Sequence, residues 1–306
     1  MRKFFIFLSI IILLIALWFI LSPVRAKKAN HYLLLGDQNL EQKNYPETIW
    51  NYKKAQVLTP GNAKISFKIG NGYFLAGDSE KAIDYLQKAQ GQDSKNKDVY
   101  LKLADVLSAN GQQDLAISYL EKGINQIPFG NELYLELGKI YLTKNDPEKA
   151  LDNFEKINSE DKNYYSAIAL CFSQKWDKAK EILQEDQSPR NENLTKAIDK
   201  IQNTKSPDTQ KVILAQTLNN YGDAILAQPL LKEVTVSDPK YRDGWVFLGY
   251  TYLELNDYDN AEKALNAAKD IDPVYPLTFE LLARTYQAKG DQAKGDECTQ
   301  KAEMLK

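Results

Sequence analysis

The chain has 306 residues, 43% hydrophobic and 26% charged, with 15 Gly and 11 Pro, proportions that exclude collagen-like, linker-like and disordered readings for most of its length. A single His (His31) and two Cys (Cys171 and Cys298) cannot build a His-rich or four-thiolate cage, so neither a metal nor a cofactor is expected. The net charge of -2 divides unevenly: Arg2, Lys3, Arg25, Lys27 and Lys28 give residues 1–28 a charge of +5, which leaves -7 for residues 29–306, and an acidic body argues against nucleic acid as a partner.

The first element in chain order is apolar. Residues 4–21 read FFIFLSIIILLIALWFIL, with no charge, and as a helix they would span about 27 Å, close to the roughly 30 Å hydrocarbon core of a bilayer. Residues 1–28 are therefore expected to form a transmembrane anchor with basic flanks. A cleavable signal peptide is the alternative, with Val24-Arg25-Ala26 as its cleavage site. Two cations precede the stretch and three follow it, so the positive-inside rule leaves the orientation open. The short tail with Arg2 and Lys3 has the character of a signal anchor, which would make the chain a single-pass membrane protein with an extracytoplasmic body.

The body repeats. Frames beginning at Ala29, Ala63, Lys97 and Asn131, and again at Asp208, Arg242 and Pro276, advance by 34 residues. The eighth position of each is small: Gly36, Gly70, Ala104, Gly138, Ala215, Gly249 and Ala283. A second small column holds Thr48, Ala82, Ala116, Ala150, Ala227, Ala261 and Gly295, followed four residues later by Tyr52, Leu86, Leu120, Phe154, Leu231, Leu265 and Thr299. Apolar residues at i, i+3, i+4 and i+7 make a helical stripe, and small residues within it let two helices approach closely. Gly77-Asp78, Gly111-Gln112, Asn145-Asp146, Gly222-Asp223, Asn256-Asp257 and Gly290-Asp291 supply a left-handed residue to end one helix and a cap to start the next. Each frame is thus a helical hairpin, and the turn carboxylates, Asp223 among them, read as caps. Pro229 falls inside a second helix and is expected to kink it or shift its start.

The pattern resembles the tetratricopeptide repeat (TPR) family, with its 34-residue W-x2-L-G-x2-Y…A-x3-F…P unit. Trp245, Leu248, Gly249, Tyr252, Ala261, Leu265 and Pro273 carry the resemblance best. It implies an all-α fold: a TPR-type α-solenoid, a right-handed superhelix of helical hairpins, here preceded by one transmembrane helix. The step from Asn131 to Asp208 is 77 residues, two units of 34 plus nine. The expected organisation is therefore residues 29–159 as an N-terminal array of four repeats, 160–207 as an irregular repeat and hinge, and 208–306 as a C-terminal array of three. Residues 194–201 suggest an extra helix. A bend at the break and an unbent stack stand as equal alternatives.

The resemblance also puts first helices on the concave side of the stack. Residues one step on from the core stripe would then look into a groove: Leu33 and Asp37; Phe67, Asn71 and Phe74; Leu101; Leu135, Lys139 and Leu142; then Val246, Tyr250, Leu253 and Arg284. Such a groove suits an extended or helical peptide, though each of these side chains could instead pack between neighbouring repeats. Catalysis finds no support, since His31, beside Tyr32 and close to the apolar stretch, reads as an interfacial residue rather than a base, and Cys171 has no histidine to activate it. The expected function is a membrane-anchored scaffold that binds other proteins in a bacterial envelope assembly, secretion or quality-control complex. A self-associating spacer, or a non-catalytic regulatory subunit of a membrane enzyme, is the alternative.

Overall fold

The computed structural model describes residues 2–185 and 188–306, with the backbone alone for residues 2–21. The described residues form helices without strands. Four hairpins come first: α1 (Arg2–Glu41) with α2 (Tyr45–Leu58), α3 (Ala63–Leu75) with α4 (Ser79–Gln92), α5 (Lys97–Ala109) with α6 (Gln113–Gln126), and α7 (Asn131–Thr143) with α8 (Pro147–Phe154). A short hairpin, α9 (Asp161–Phe172) and α10 (Trp176–Leu183), precedes a single helix, α11 (Pro189–Gln202). Three hairpins complete the order: α12 (Pro207–Asn220) with α13 (Ala224–Ser237), α14 (Arg242–Glu254) with α15 (Tyr258–Ile271), and α16 (Pro276–Ala288) with α17 (Gln292–Met304). First helices begin where the 34-residue frames place them, at Ala63, Lys97, Asn131, Arg242 and Pro276, and at Pro207, one residue early.

The chain divides into two compact units, residues 1–137 and 138–306. In each, helices pack with their neighbours in sequence, and first helices also approach one another: α3 with α5 in the first unit, α12 with α14 and α14 with α16 in the second. First helices therefore line the tighter, inner side of each stack. Core composition follows the frame columns. Ala82, Leu86, Ala116 and Leu120 are fully buried in the first unit, and Ala261, Leu265, Leu231 and Ala227 in the second.

The hairpin turns follow the expected chemistry. Gly77, Gly111, Gly222 and Gly290 take φ of +75 to +83°, and Asn145 and Asn256 take +58 and +60°, the left-handed conformation in which Gly and Asn carry the least strain. Asp78, Asp146, Asp257 and Asp291 each accept a hydrogen bond from the backbone N–H three residues on, at 3.1–3.2 Å. Helix α13 starts at Ala224 and runs through Pro229 to Ser237, so the proline does not shift its start. Pro229 removes one helical hydrogen bond, and buried Leu226, Leu230 and Leu231 hold the surrounding turn in place.

The single-pass membrane placement is corrected. Among the described residues no helix is long and apolar enough to cross a membrane, and the side chains of residues 4–21, on which that expectation rests, lie outside the described residues. At the register break, the extra helix is longer than expected and spans Pro189–Gln202. Asp186 and Gln187 in the expected hinge lie outside the described residues.

Close approach within a hairpin is tightest at Gly36 and Gly138, where an added Cβ would sit 2.3 Å from the rings of Tyr52 and Phe154. Gly91, in the exposed last turn of α4, would meet nothing within 4 Å. Gly138→Ala is expected to lower stability by about 1–3 kcal/mol through overpacking, whereas Gly91→Ala should raise it by about 0.5 kcal/mol through helix propensity. Urea denaturation of both variants beside the parent checks the pair.

Candidate functional site

On the inner helices of the first unit, Leu33, Asp37, Phe67, Asn71, Phe74, Leu101 and Leu135 are all half-buried. Phe67, Phe74, Leu101 and Leu135 come from α3, α5 and α7, so large apolar side chains recur along successive first helices. The charges beside them are already engaged. Asp37 accepts hydrogen bonds from the Tyr52 hydroxyl at 2.5 Å and from Lys68 Nζ at 2.6 Å, tying the first hairpin to the second. Burial, then the Asp37 carboxylate, push the Tyr52 phenol well above its usual range. Lys102 Nζ lies 5.3 Å from the centre of the Phe74 ring and 2.8 Å from Asp105, a cation–π arrangement with its charge balanced on the same helix.

The second unit treats its row differently. Leu142, Val246 and Leu253 are buried, at 1, 0 and 9% exposure, so they pack inside the stack and line no groove. Val246 belongs to a core with Leu265, Ala268, Leu281 and Leu282. Tyr250 is half-buried and Arg284 exposed. The Arg284 guanidinium stands 5.6 Å from the Tyr250 ring and 3.2 Å from Glu254, so these two form a small polar patch.

Lys139 enters a buried cluster that the repeat pattern conceals. Its Nζ lies 3.0 Å from Asp223 Oδ1 and 4.8 Å from the Tyr165 ring. The Tyr165 hydroxyl donates to Asp223 Oδ1 at 2.9 Å, and Arg190 donates to Asp223 Oδ2 at 3.2 Å and to Asp161 Oδ1 at 2.9 Å. The Arg190 guanidinium also stacks 3.5 Å from the centre of the Tyr164 ring. Asp223 sits at the start of α13 where a cap belongs, yet its side chain makes no capping bond. With only 2% of its side chain exposed, it serves α7, α9 and α11 instead. Burial alone would lower the Lys139 pKa, but the Asp223 carboxylate and the Tyr165 phenolic oxygen reverse this and hold it above the usual lysine range. Burial pushes the Tyr164 and Tyr165 phenols up as well. Sequence reasoning missed Tyr164, Tyr165, Arg190 and the diverted role of Asp223. The available signal was Arg190, an arginine opening a helix that has no place in the 34-residue frame.

Cys171 is buried and its thiol pushed well above the usual range by that burial alone, which leaves it protonated and unreactive. Cys171 and Cys298 are both free. No group of three or more His, Cys, Asp and Glu that could hold a metal occurs among the described residues.

Comparison with known proteins agrees with the repeat frame. Two tetratricopeptide repeat profiles match, one over residues 73–137 and another over 132–164 and 243–275. A tetratricopeptide repeat protein from Parabacteroides merdae is similar in structure, with a TM-score of 0.50 at 15% identity, covering 85% of this chain and 99% of that one. PilF of Pseudomonas aeruginosa gives 0.48 at 17%, covering 73% and 97%. YrrB, described as a TPR protein with an unusual peptide-binding site, gives 0.32 at 18%, covering 72% and 92%. No curated protein matches. The chain therefore carries tetratricopeptide repeats and folds as an all-α helical repeat solenoid, a class of protein that binds other proteins or peptides and serves as a scaffold.

The buried cluster makes a stability prediction. Asp223→Ala would leave Lys139 and Arg190 without their shared carboxylate. The expected loss is about 2–4 kcal/mol, near the lower end for breaking a buried pair, because Lys139 and Arg190 keep 19 and 25% of their side chains exposed. The pH dependence has a definite sign. Lys139, Tyr164 and Tyr165 all have raised pKa values in the folded chain, so it holds more protons than the unfolded chain once pH exceeds the unfolded values of roughly 10. Their contribution is fully present at neutral pH and is lost as pH rises above about 10. Urea midpoints measured from neutral to strongly alkaline pH should fall only in that last interval, and the fall should be smaller in Asp223→Ala.

Proposed function

We propose that this protein is a scaffold whose inner face in the first unit, centred on Phe67, Asn71, Phe74, Leu101 and Leu135, binds an extended or helical peptide of another protein. The supporting observation is that these side chains stay half-open on consecutive first helices. A face that served only to stack hairpins would be covered, as Val246 and Leu142 are. Because Lys68 and Lys102 are paired with Asp37 and Asp105, the face offers apolar area with its charges neutralised. The partner segment is therefore selected by apolar side chains, with the Asn71 amide available for main-chain polar groups. Leu33 and Asp37 extend the same face towards α1. In the second unit, Tyr250 and Arg284 add a polar contact point.

The envelope setting expected from the sequence rests on residues 4–21 and forms no part of this proposal. A spacer built by end-to-end stacking is disfavoured by the surfaces it would use. In α1 the positions that stack in interior hairpins, filled there by Val99 and Val106, hold exposed His31 and Gln38, and α17 exposes Lys294, Glu297 and Lys301.

A benzophenone side chain at position 67 should cross-link a partner protein in cells, while the same group at Asp84, on the exposed face of a second helix, should not. Phe74→Glu should reduce the yield at position 67 at least tenfold, since desolvating a carboxylate against Phe67 and Leu101 exceeds the roughly 1.4 kcal/mol that a tenfold change represents. Equal cross-linking from both positions would sink the assignment to the inner face.

A further inference from the structure

The turn that joins α5 to α6 carries a dipeptide with chemistry of its own. Gly77, Gly111, Gly222 and Gly290 end their helices at φ of +75 to +83°. The residues before them are Ala76, Asn110, Tyr221 and Lys289, so the turn geometry sets no demand on that position. Asn110 alone of the four brings a side-chain amide whose carbon can close a five-membered ring with the next backbone nitrogen. Asn110 and Gly111 are both exposed, and glycine has no Cβ to crowd the approach.

The sequence contains one other Asn-Gly pair, Asn71-Gly72, and its surroundings are the opposite. Gly72 is buried in the interior of α3, where an added Cβ would stand 3.1 Å from Ile49 and the backbone N–H belongs to the helical ladder. At the end of α5, Asn110 N–H donates to Val106 O at 3.1 Å, Gly111 N–H to Ser108 O at 3.0 Å and Gln112 N–H to Leu107 O at 2.8 Å. Exposed helix ends open at little cost, whereas a buried helical turn opens only together with the elements packed on it. Once Gly111 N–H leaves Ser108 O, its nitrogen can rotate towards the Asn110 side chain. Asn71 has no such route.

We propose that Asn110 is a site of self-modification, converting to aspartate and isoaspartate through a cyclic imide. The Gly111 nitrogen gives up its proton and attacks the Asn110 side-chain carbonyl carbon. A C–N bond forms to close the ring, and the bond to the amide nitrogen breaks, which releases ammonia after that nitrogen takes up a proton. Water, the only co-reactant, then opens the imide. Attack at the side-chain carbonyl leaves aspartate, and attack at the main-chain carbonyl leaves isoaspartate. The isoaspartyl link runs through the side-chain carbon and adds a methylene to the main chain. Gly111 and Gln112 then no longer meet Ser108 and Leu107 in register, and the α5–α6 hairpin loosens. The reaction is independent of peptide binding on the inner face, since it needs no partner.

Peptide mapping by mass spectrometry tests the proposal on the full chain, kept folded in mildly alkaline buffer made with heavy-oxygen water. Position 110 should take up a heavy oxygen and become a substrate for a protein isoaspartate methyltransferase. It should convert faster than Asn71 by roughly tenfold or more, because the turn opens far more often than the interior of α3. Asn110→Gln, whose longer side chain closes a ring slowly, should abolish the product and leave the thermal midpoint of fresh protein level. The isoaspartyl form, resolved by ion exchange, should melt below the parent. A position 110 that stays asparagine over the time in which the unfolded chain converts, Asn71 converting as fast as Asn110, or an isoaspartyl form that melts with the parent would each overturn the proposal.

Discussion

The close approach of the two helices in each hairpin is the constraint on which everything else rests. It is set by one small residue on the first helix lying against one large side chain on the second. Gly36 against Tyr52, Gly70 against Leu86, Gly138 against Phe154 and Gly249 against Leu265 leave so little room that a single added carbon would lie 2.3–2.8 Å from the partner. Apolar burial at this seam supplies the cohesion of each hairpin. Large apolar residues elsewhere on the first helices are then surplus to hairpin formation. They either stack between hairpins, as Val99 and Val106 do, or face outward from the inner side, as Phe67 and Phe74 do. Tyr52 links the two roles, because its ring fills the space over Gly36 while its hydroxyl reaches Asp37 on the inner face.

Where the 34-residue step fails, a different force takes over. Helix α11 has no partner of its own and cannot be placed by the small-against-large seam. Its first turn is instead fixed by charge, with Arg190 bridging Asp161 and Asp223 while lying flat on Tyr164. Buried ion pairs contribute little net stability, because desolvation offsets most of the attraction. Their directional demands are strict, however, and a planar guanidinium meeting two carboxylates and a ring admits few arrangements. The cluster thus specifies where the odd helix sits more than it strengthens the unit. The first helix after the irregularity carries Gln210 and Lys211 where the third frame buries Val99 and Tyr100.

The contrast between regular and irregular regions explains what could be read from the sequence. Periodic columns placed the helix starts at Ala63, Lys97, Asn131, Arg242 and Pro276 because each is over-determined: a turn residue, a cap and two apolar stripes agree. The same columns gave Asp223 its place at the head of a second helix, and that placement is correct. Its function is not a cap's, since the partners that divert it, Lys139, Tyr165 and Arg190, lie 84, 58 and 33 residues away in sequence. Periodicity carries no information about such contacts. The groove positions divided for a related reason. One step on from the stripe is an angular statement about a single helix, and whether that angle opens to solvent depends on the neighbouring hairpin. Around Phe67 and Phe74 it does, whereas Val246 is covered by Leu281 and Leu282 from the next hairpin.

What singles out the inner face of the first unit is the arrangement of its apolar residues rather than their exposure. Leu115, Ile225 and Val236 are each 43% exposed or more, yet each stands singly on a second helix, and isolated apolar side chains on a surface are ordinary. Trp50 is more exposed than Phe74, but Lys54 covers its ring at 5.0 Å and Tyr32 meets its edge at 6.3 Å. Leu33, Phe67, Leu101 and Leu135 differ in recurring at corresponding positions, 34 residues apart, on successive first helices, so that a chain laid across them would meet one apolar group per repeat. Recognition by repetition needs only modest gain at each contact, because the contributions accumulate along a bound segment. In the proposed binding mode, a face with its lysines already neutralised would draw its selectivity from the spacing of the partner's apolar residues, matched to the 34-residue repeat, rather than from charge.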